Sequence, residues 1–128
     1  MDESGRPDQY ILGDTHLIIR LIKNGFDNAS RFATSEIHIG LESVSGMVRL
    51  TINDDGKGLD PESLASFAQR RERRKQRDDG KHFSLGLGSV IMKAIASVHG
   101  GSVKIKNRVK DSKIIGASLI VDLPSTPL

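Results

Sequence analysis

The sequence predicts one α/β domain: a two-layer sandwich, with a mixed sheet of about five strands covered on one face by about three helices. Three observations carry this. Apolar residues recur at spacings of three and four in two segments, 15–31 and from 86 onward. They alternate with polar residues in several others, the signature of half-buried strands. No internal repeat or second core is visible along the 128 residues, a length that suits one domain.

Residues 1–9 form a polar tail. Tyr10-Ile11-Leu12 reads as a short edge strand. Asp14 or Thr15 can cap a helix whose apolar face carries Leu17, Ile18, Leu21, Ile22, Phe26 and Ala29. Ile37, Ile39 and Leu41, then Val48, Leu50 and Ile52, read as two strands of a hairpin turning at Ser43 to Gly46. Asp54-Asp55-Gly56-Lys57-Gly58 breaks the second strand. Asp60 and Pro61 open a short helix holding Leu64 and Phe67.

Residues 69–85 have too few apolar positions for a core element and read as a loop. A helix is expected from Gly86 through Val98, stopped at His99-Gly100-Gly101. Val103 and Ile105 begin a strand, and residues 114–123 form the last one, closed by Pro124. The domain is thus expected over 10–124, with 125–128 as a tail.

Composition narrows the function. There is no Cys, which excludes disulfides, thiolate metal sites and a Cys nucleophile. No apolar run approaches the ~20 residues of a membrane span and no signal peptide opens the chain. A cytoplasmic address fits, with room for an anchor elsewhere in a full-length protein. The net charge is +3, but unevenly spread. Residues 1–60 hold 6 basic and 10 acidic side chains, residues 61–128 hold 13 and 6. Seven basic residues lie between Arg70 and Lys81. Such a cluster suits nucleic acid, a membrane surface, a polyphosphate or plain solvent.

Three short patterns hold polar chemistry. Asn24 and Asn28 stand four apart on one helical face; buried amides there either bond a loop or serve a ligand, an amide oxygen being a hard donor suited to Mg²⁺. Asp54 with Gly56 and Gly58 is either a turn or a carboxylate set in a pocket whose glycines let a ring approach. Gly86 and Gly88 either simply enter a helix or present N–H groups to an anion. They lack the lysine and hydroxyl of a P-loop.

Together, in this order and spacing, the patterns resemble the ATP-binding catalytic domain of sensor histidine kinases, the GHKL or Bergerat-fold superfamily shared with DNA gyrase B, Hsp90 and MutL. The resemblance runs from about Ile11 to Pro124. Asn24 to Ala29 is similar to the N box, Asp54 to Gly58 to the G1 box, Phe67 to the F box, and Gly86-Leu87-Gly88, with Leu85 before it, to the G2 box.

The resemblance implies ATP and Mg²⁺ as cofactors. Asn28 would hold the metal, with Asn24 close by. Arg31 would contact phosphate and Phe32 would lie beside adenine. Asp54 would accept from the adenine amine, selecting ATP over GTP. Gly56 and Gly58 would shape the base pocket, Gly86 and Gly88 would bring amides to the phosphates, and 69–85 would be the lid. Ser118 would stand in for a threonine near adenine.

Two departures from the family are Ser89, where a leucine is usual, and Ala117. The hydrolase branch carries a glutamate where this chain has Asn24; an amide cannot take a proton from water, which favours transfer to an external acceptor. None of His16, His38, His82 and His99 stands in the family's phosphoacceptor pattern. The resemblance therefore implies a catalytic fragment without catalytic residues of its own, monomeric when isolated. Its partners would be ATP, the missing phosphoacceptor helices and a response regulator, with no nucleic acid and no membrane contact. A serine kinase of the anti-sigma type shares the fold. A nucleic-acid module would use the basic loop, yet residues 69–81 hold no aromatic.

Overall fold

The computed structural model describes residues 10–67 and 80–126, with side chains of the second stretch described from Gly88 on. Its elements run α1 (Thr15–Phe32), β1 (Ile37–Val44), β2 (Met47–Asp54), α2 (Pro61–Ser66), α3 (Gly80–Val98), β3 (Ser102–Lys110) and β4 (Lys113–Pro124). The described strands form one four-stranded sheet in the order β1-β2-β4-β3, and every neighbouring pair is antiparallel.

The mixed five-stranded sheet expected from the sequence is thus corrected to four antiparallel strands. Tyr10 to Leu12 is not a strand. Only Tyr10 O, accepting from Thr126 N at 2.7 Å, ties that segment to the end of β4, and one bond beyond a strand's end makes no ladder.

Local chemistry sets the element ends. Asp14 is the N-cap of α1, its carboxylate accepting from Leu17 N at 3.0 Å. Asp60 caps α2 in the same way through Ser63 N at 2.7 Å. The β1–β2 turn is only two residues, Ser45 and Gly46, both at positive φ, a geometry that matches strand twist. Asp111 and Ser112 do the same for β3–β4.

One boundary moves far. The helix expected from Gly86 begins at Gly80, so Gly86 and Gly88 stand inside α3. Residues 80–85, read as loop, contain no proline and can extend a helix backward from its apolar part.

α1 and α3 pack on one face of the sheet, α1 over β2 and α3 over β3 and β4. The core between the layers holds Leu21 and Ala29 of α1, Ile52 of β2, Met92, Ile95 and Ala96 of α3, and Leu119, Val121 and Leu123 of β4. Each large apolar side chain buried there contributes roughly 1.5–3 kcal/mol. Ile22 and Phe26, assigned to the core face by periodicity, remain 42% and 43% exposed. The helix ends are also tied together: His99 accepts from Asp14 N at 3.0 Å through Nε2, so its Nδ1 donates to Ile95 O at 2.8 Å. Among the described residues no helix is long and apolar enough to cross a membrane.

Candidate functional site

A cavity of about 300 Å³, counting its open mouth, lies between α1 and the sheet. Gly25, Asn28, Ala29 and Phe32 of α1 line one wall; Ile52, Ile105, Ala117 and Leu119 of the sheet line the other. Asp54 and Leu59 complete it. The lining is mostly apolar with few polar groups, the usual make-up of a small-molecule site.

Asp54 is its charged member and is 6% exposed. Alternation along β2 places it on the same side as Ile52, facing the helices. One carboxylate oxygen, Oδ1, accepts from Gly56 N at 2.9 Å and from Ala117 N at 3.2 Å. Among the described residues Oδ2 accepts nothing. The carboxylate is therefore held rigidly by one oxygen and offers the other. Its own carbonyl accepts from Arg108 Nη1 at 2.6 Å, which fixes the backbone as well.

The surrounding loop is pinned from three directions. A Cβ on Gly56 would run into the carbonyl of Phe32, so only glycine lets the loop approach the end of α1 this closely. Asp55 accepts from Thr34 N at 2.8 Å, Ser35 N at 2.9 Å and Ser35 Oγ at 2.7 Å. These bonds, from the Ser35 backbone first, then its hydroxyl and the Glu36 and Thr34 amides, hold the Asp55 carboxyl far below the ordinary carboxylate range. Asn107 of β3 clamps Leu59 with two bonds, Oδ1 to Leu59 N at 2.8 Å and Nδ2 to Leu59 O at 2.9 Å.

Of the residues singled out by sequence, Asn28, Phe32 and Asp54 line the cavity together, with Gly56 and Gly58 on the loop beside it. Asn24 is half-buried on the α3 side of α1; its Oδ1 lies 3.8 Å from where a Cβ on Gly88 would stand. Arg31 is exposed on the last turn of α1 and does not line the cavity. Ser118 falls on the opposite face: it alternates with Ala117 and Leu119 and pairs with Asn53 and Lys106. It is buried there, away from the cavity. Ser89 is fully buried in α3.

Leu85, Gly86 and Leu87 lie along α3, within a helix rather than at its start. Residues 69–79 of the expected lid, with most of its basic cluster, lie outside the described residues. Among the described residues no group of three or more His, Asp or Glu side chains could hold a metal ion.

Sequence reasoning named Ala117 only as a departure from the family and Asp55 only as part of the glycine loop, and missed Leu119, Asn107 and Arg108. Ala117 and Leu119 were findable by counting in twos along β4. Asn107 and Arg108 act across the fold, at a distance in sequence of 48 and 54 residues, with no local signal.

Residues 13–127 match the family described as "Histidine kinase-, DNA gyrase B-, and HSP90-like ATPase". Sensor protein kinase CarS of Pseudomonas aeruginosa is 31% identical over 121 residues, covering 94% of this chain and 25% of the relative. The chain thus spans about a quarter of the length of the curated relatives it matches. Among solved structures, the mycobacterial sensor histidine kinase MprB superimposes with a TM-score of 0.74 at 24% identity, covering 92% of this chain and 78% of that one. Full-length ShkA in complex with AMPPNP gives 0.73 at 21% identity, over 96% and 24%. At these identities the two structures establish the fold.

Proposed function

We propose, for a chain that belongs to the histidine kinase-, DNA gyrase B- and HSP90-like ATPase family, that it is the ATP-binding catalytic domain of a sensor histidine kinase. It holds Mg-ATP for transfer of the γ-phosphate to a histidine on another segment. The relatives named as sensor kinases support the class, and ShkA is a fold neighbour solved with an ATP analogue.

The single observation that carries the nucleotide reading is the half-used carboxylate of Asp54 inside an apolar cavity. Its free oxygen suits an exocyclic amine, as in adenine. Guanine would set a carbonyl against that oxygen, two acceptors with no proton between them. Ile52, Leu59, Ile105 and Leu119 supply apolar surface for the base, and Phe32 lies at the cavity rim of α1.

Asn28 fits a metal that keeps several waters and takes one protein oxygen, because it is half-buried and lines the same cavity. When bound, Mg²⁺ neutralises phosphate charge. Asn24, half-buried one turn before Asn28, stands close by, and Arg31, exposed at the helix end, is assigned to phosphate. Asn24 is an amide and cannot act as base on water, so the site positions a phosphoryl group for an external acceptor rather than hydrolysing it. Gly86 and Gly88, on α3, are the residues of that helix assigned to the phosphate side. The phosphoacceptor helices and a response regulator belong to the full system, which works in the cytoplasm.

The test is a titration of the chain with ATP, with and without Mg²⁺, read by calorimetry. Binding that strengthens with Mg²⁺, and loses only that increment in Asn28→Ala, supports the assignment. Binding indifferent to Mg²⁺ in the parent removes Asn28 as ligand. Absence of any ATP binding overturns the proposed function.

A further inference from the structure

The two edges of the sheet are built differently. β3 carries Lys104, Lys106 and Lys110 along its exposed positions, the kind of edge that resists pairing with another strand. β1, the other edge, spans Ile37–Val44 with no lysine, arginine or proline. Among the described residues only β2 pairs with it.

The surface next to that edge is apolar. Ile39 and Leu41 are paired with Ile52 and Leu50, so they point to the helix side, yet they are 57% and 55% exposed. α1 lies over β2 with Leu21 and Gly25 facing the sheet. α3 packs on the Asn24 side of α1, and the exposed Ile22 and Phe26 lie on the opposite side, toward β1. Strand and helix together leave an uncovered apolar shelf along the edge.

β1 is also self-complementary. In an antiparallel pairing of two copies centred on Gly40, Ile39 falls opposite the partner's Leu41 and His38 opposite the partner's Glu42, each twice by symmetry. Apolar pairs then occupy the helix side and histidine–carboxylate pairs the outer side, where His38 Nε2 also lies 3.0 Å from Glu36 Oε1 of its own chain. Moving the centre to Ile39 would instead set Glu36 against the partner's Glu42.

We propose that the chain associates with a second copy of itself by pairing β1 edge to edge, centred on Gly40. The result is an eight-stranded continuous sheet, with the Ile22 and Phe26 shelves flanking the seam. This replaces the monomer expected from sequence and does not depend on the nucleotide reading.

The test is analytical ultracentrifugation of the chain from about micromolar to about millimolar concentration, with melting curves to confirm that each variant folds. A monomer–dimer equilibrium is expected. His38→Glu sets like charges opposite each other and should weaken the dimer ~tenfold or more, while adding Glu42→Lys should restore it. Leu41→Lys, at an exposed position, should also weaken it. A monomer throughout the range overturns the proposal. So does a dimer that ignores His38→Glu and Leu41→Lys. A shelf that becomes protected from hydrogen exchange only in a longer form of the chain also overturns it, in favour of cover by that added segment.

Discussion

Gly25 stands where α1 presses on the sheet, and replacing it by alanine sets two effects of known size against each other. A Cβ there would lie 2.9 Å from Leu119 Cδ2, 3.1 Å from Ile52 Cδ1 and 3.7 Å from Met92 Sδ. Carbon atoms are comfortable at about 3.5–4.0 Å, so two methyl groups must retreat by roughly half an ångström or more. Leu119 is 4% exposed and Ile52 is 2% exposed, so neither can swing into solvent. The open volume beside them is the cavity both line. Overpacking of this kind costs about 1–3 kcal/mol. Helix propensity returns about 1 kcal/mol for Gly to Ala. The expected net is a loss of about 1 kcal/mol, a few degrees in Tm for a domain of this size, measured by urea and thermal melts. Weaker binding of nucleotide should accompany it, as the methyls move into the base site. A Gly25→Ala protein stabilised by about 1 kcal/mol, as propensity alone requires, would refute the packing argument.

Two further outcomes follow from the same structure. Asp14→Ala removes the acceptor for Leu17 N and should lower stability by about 1 kcal/mol, typical of a lost N-cap; urea denaturation of parent and variant checks it. Asp55 has a folded pKa below its unfolded one, so its stabilisation is complete above the ordinary value of about 3.9 and is lost as pH falls through that value toward the folded one. The Tm gap between parent and Asp55→Ala should therefore be widest near neutrality and narrow in acid; a gap that widens in acid contradicts the assignment.

Much of this was legible because local chemistry and tertiary role agree. The Asp14 cap, the α1 periodicity, the β1–β2 hairpin and the Asp60-Pro61 helix start all appear where their residues say they should. The failures have identifiable physics. Ile22 and Phe26 carry the helical period, but α1 packs on β2 and α3 and leaves its β1 side uncovered, so they stay exposed. Gly86 reads as a helix start because glycine is a weak helix former, yet nothing in 80–85 halts a helix. The resemblance puts Ser118 near adenine, but a strand turns every second side chain away, and Ser118 points opposite to Ala117 and Leu119. Asp54 was identified from its glycines, but the partner that orients it, the amide of Ala117, is 63 residues distant in sequence and became visible only in the fold.

The central claim is that Asp54 reads an amino group with its free oxygen. Asp54→Asn tests it sharply, because Gly56 N and Ala117 N both need an oxygen at Oδ1. The amide nitrogen must then occupy the other position, turning an acceptor into a donor. Calorimetric titration of parent and variant with ATP and GTP is the measurement. ATP affinity should fall by about tenfold or more, the worth of a hydrogen bond to a charged group, and the preference for ATP over GTP should shrink or reverse. A variant that binds ATP as the parent does, with its preference intact, would contradict the account.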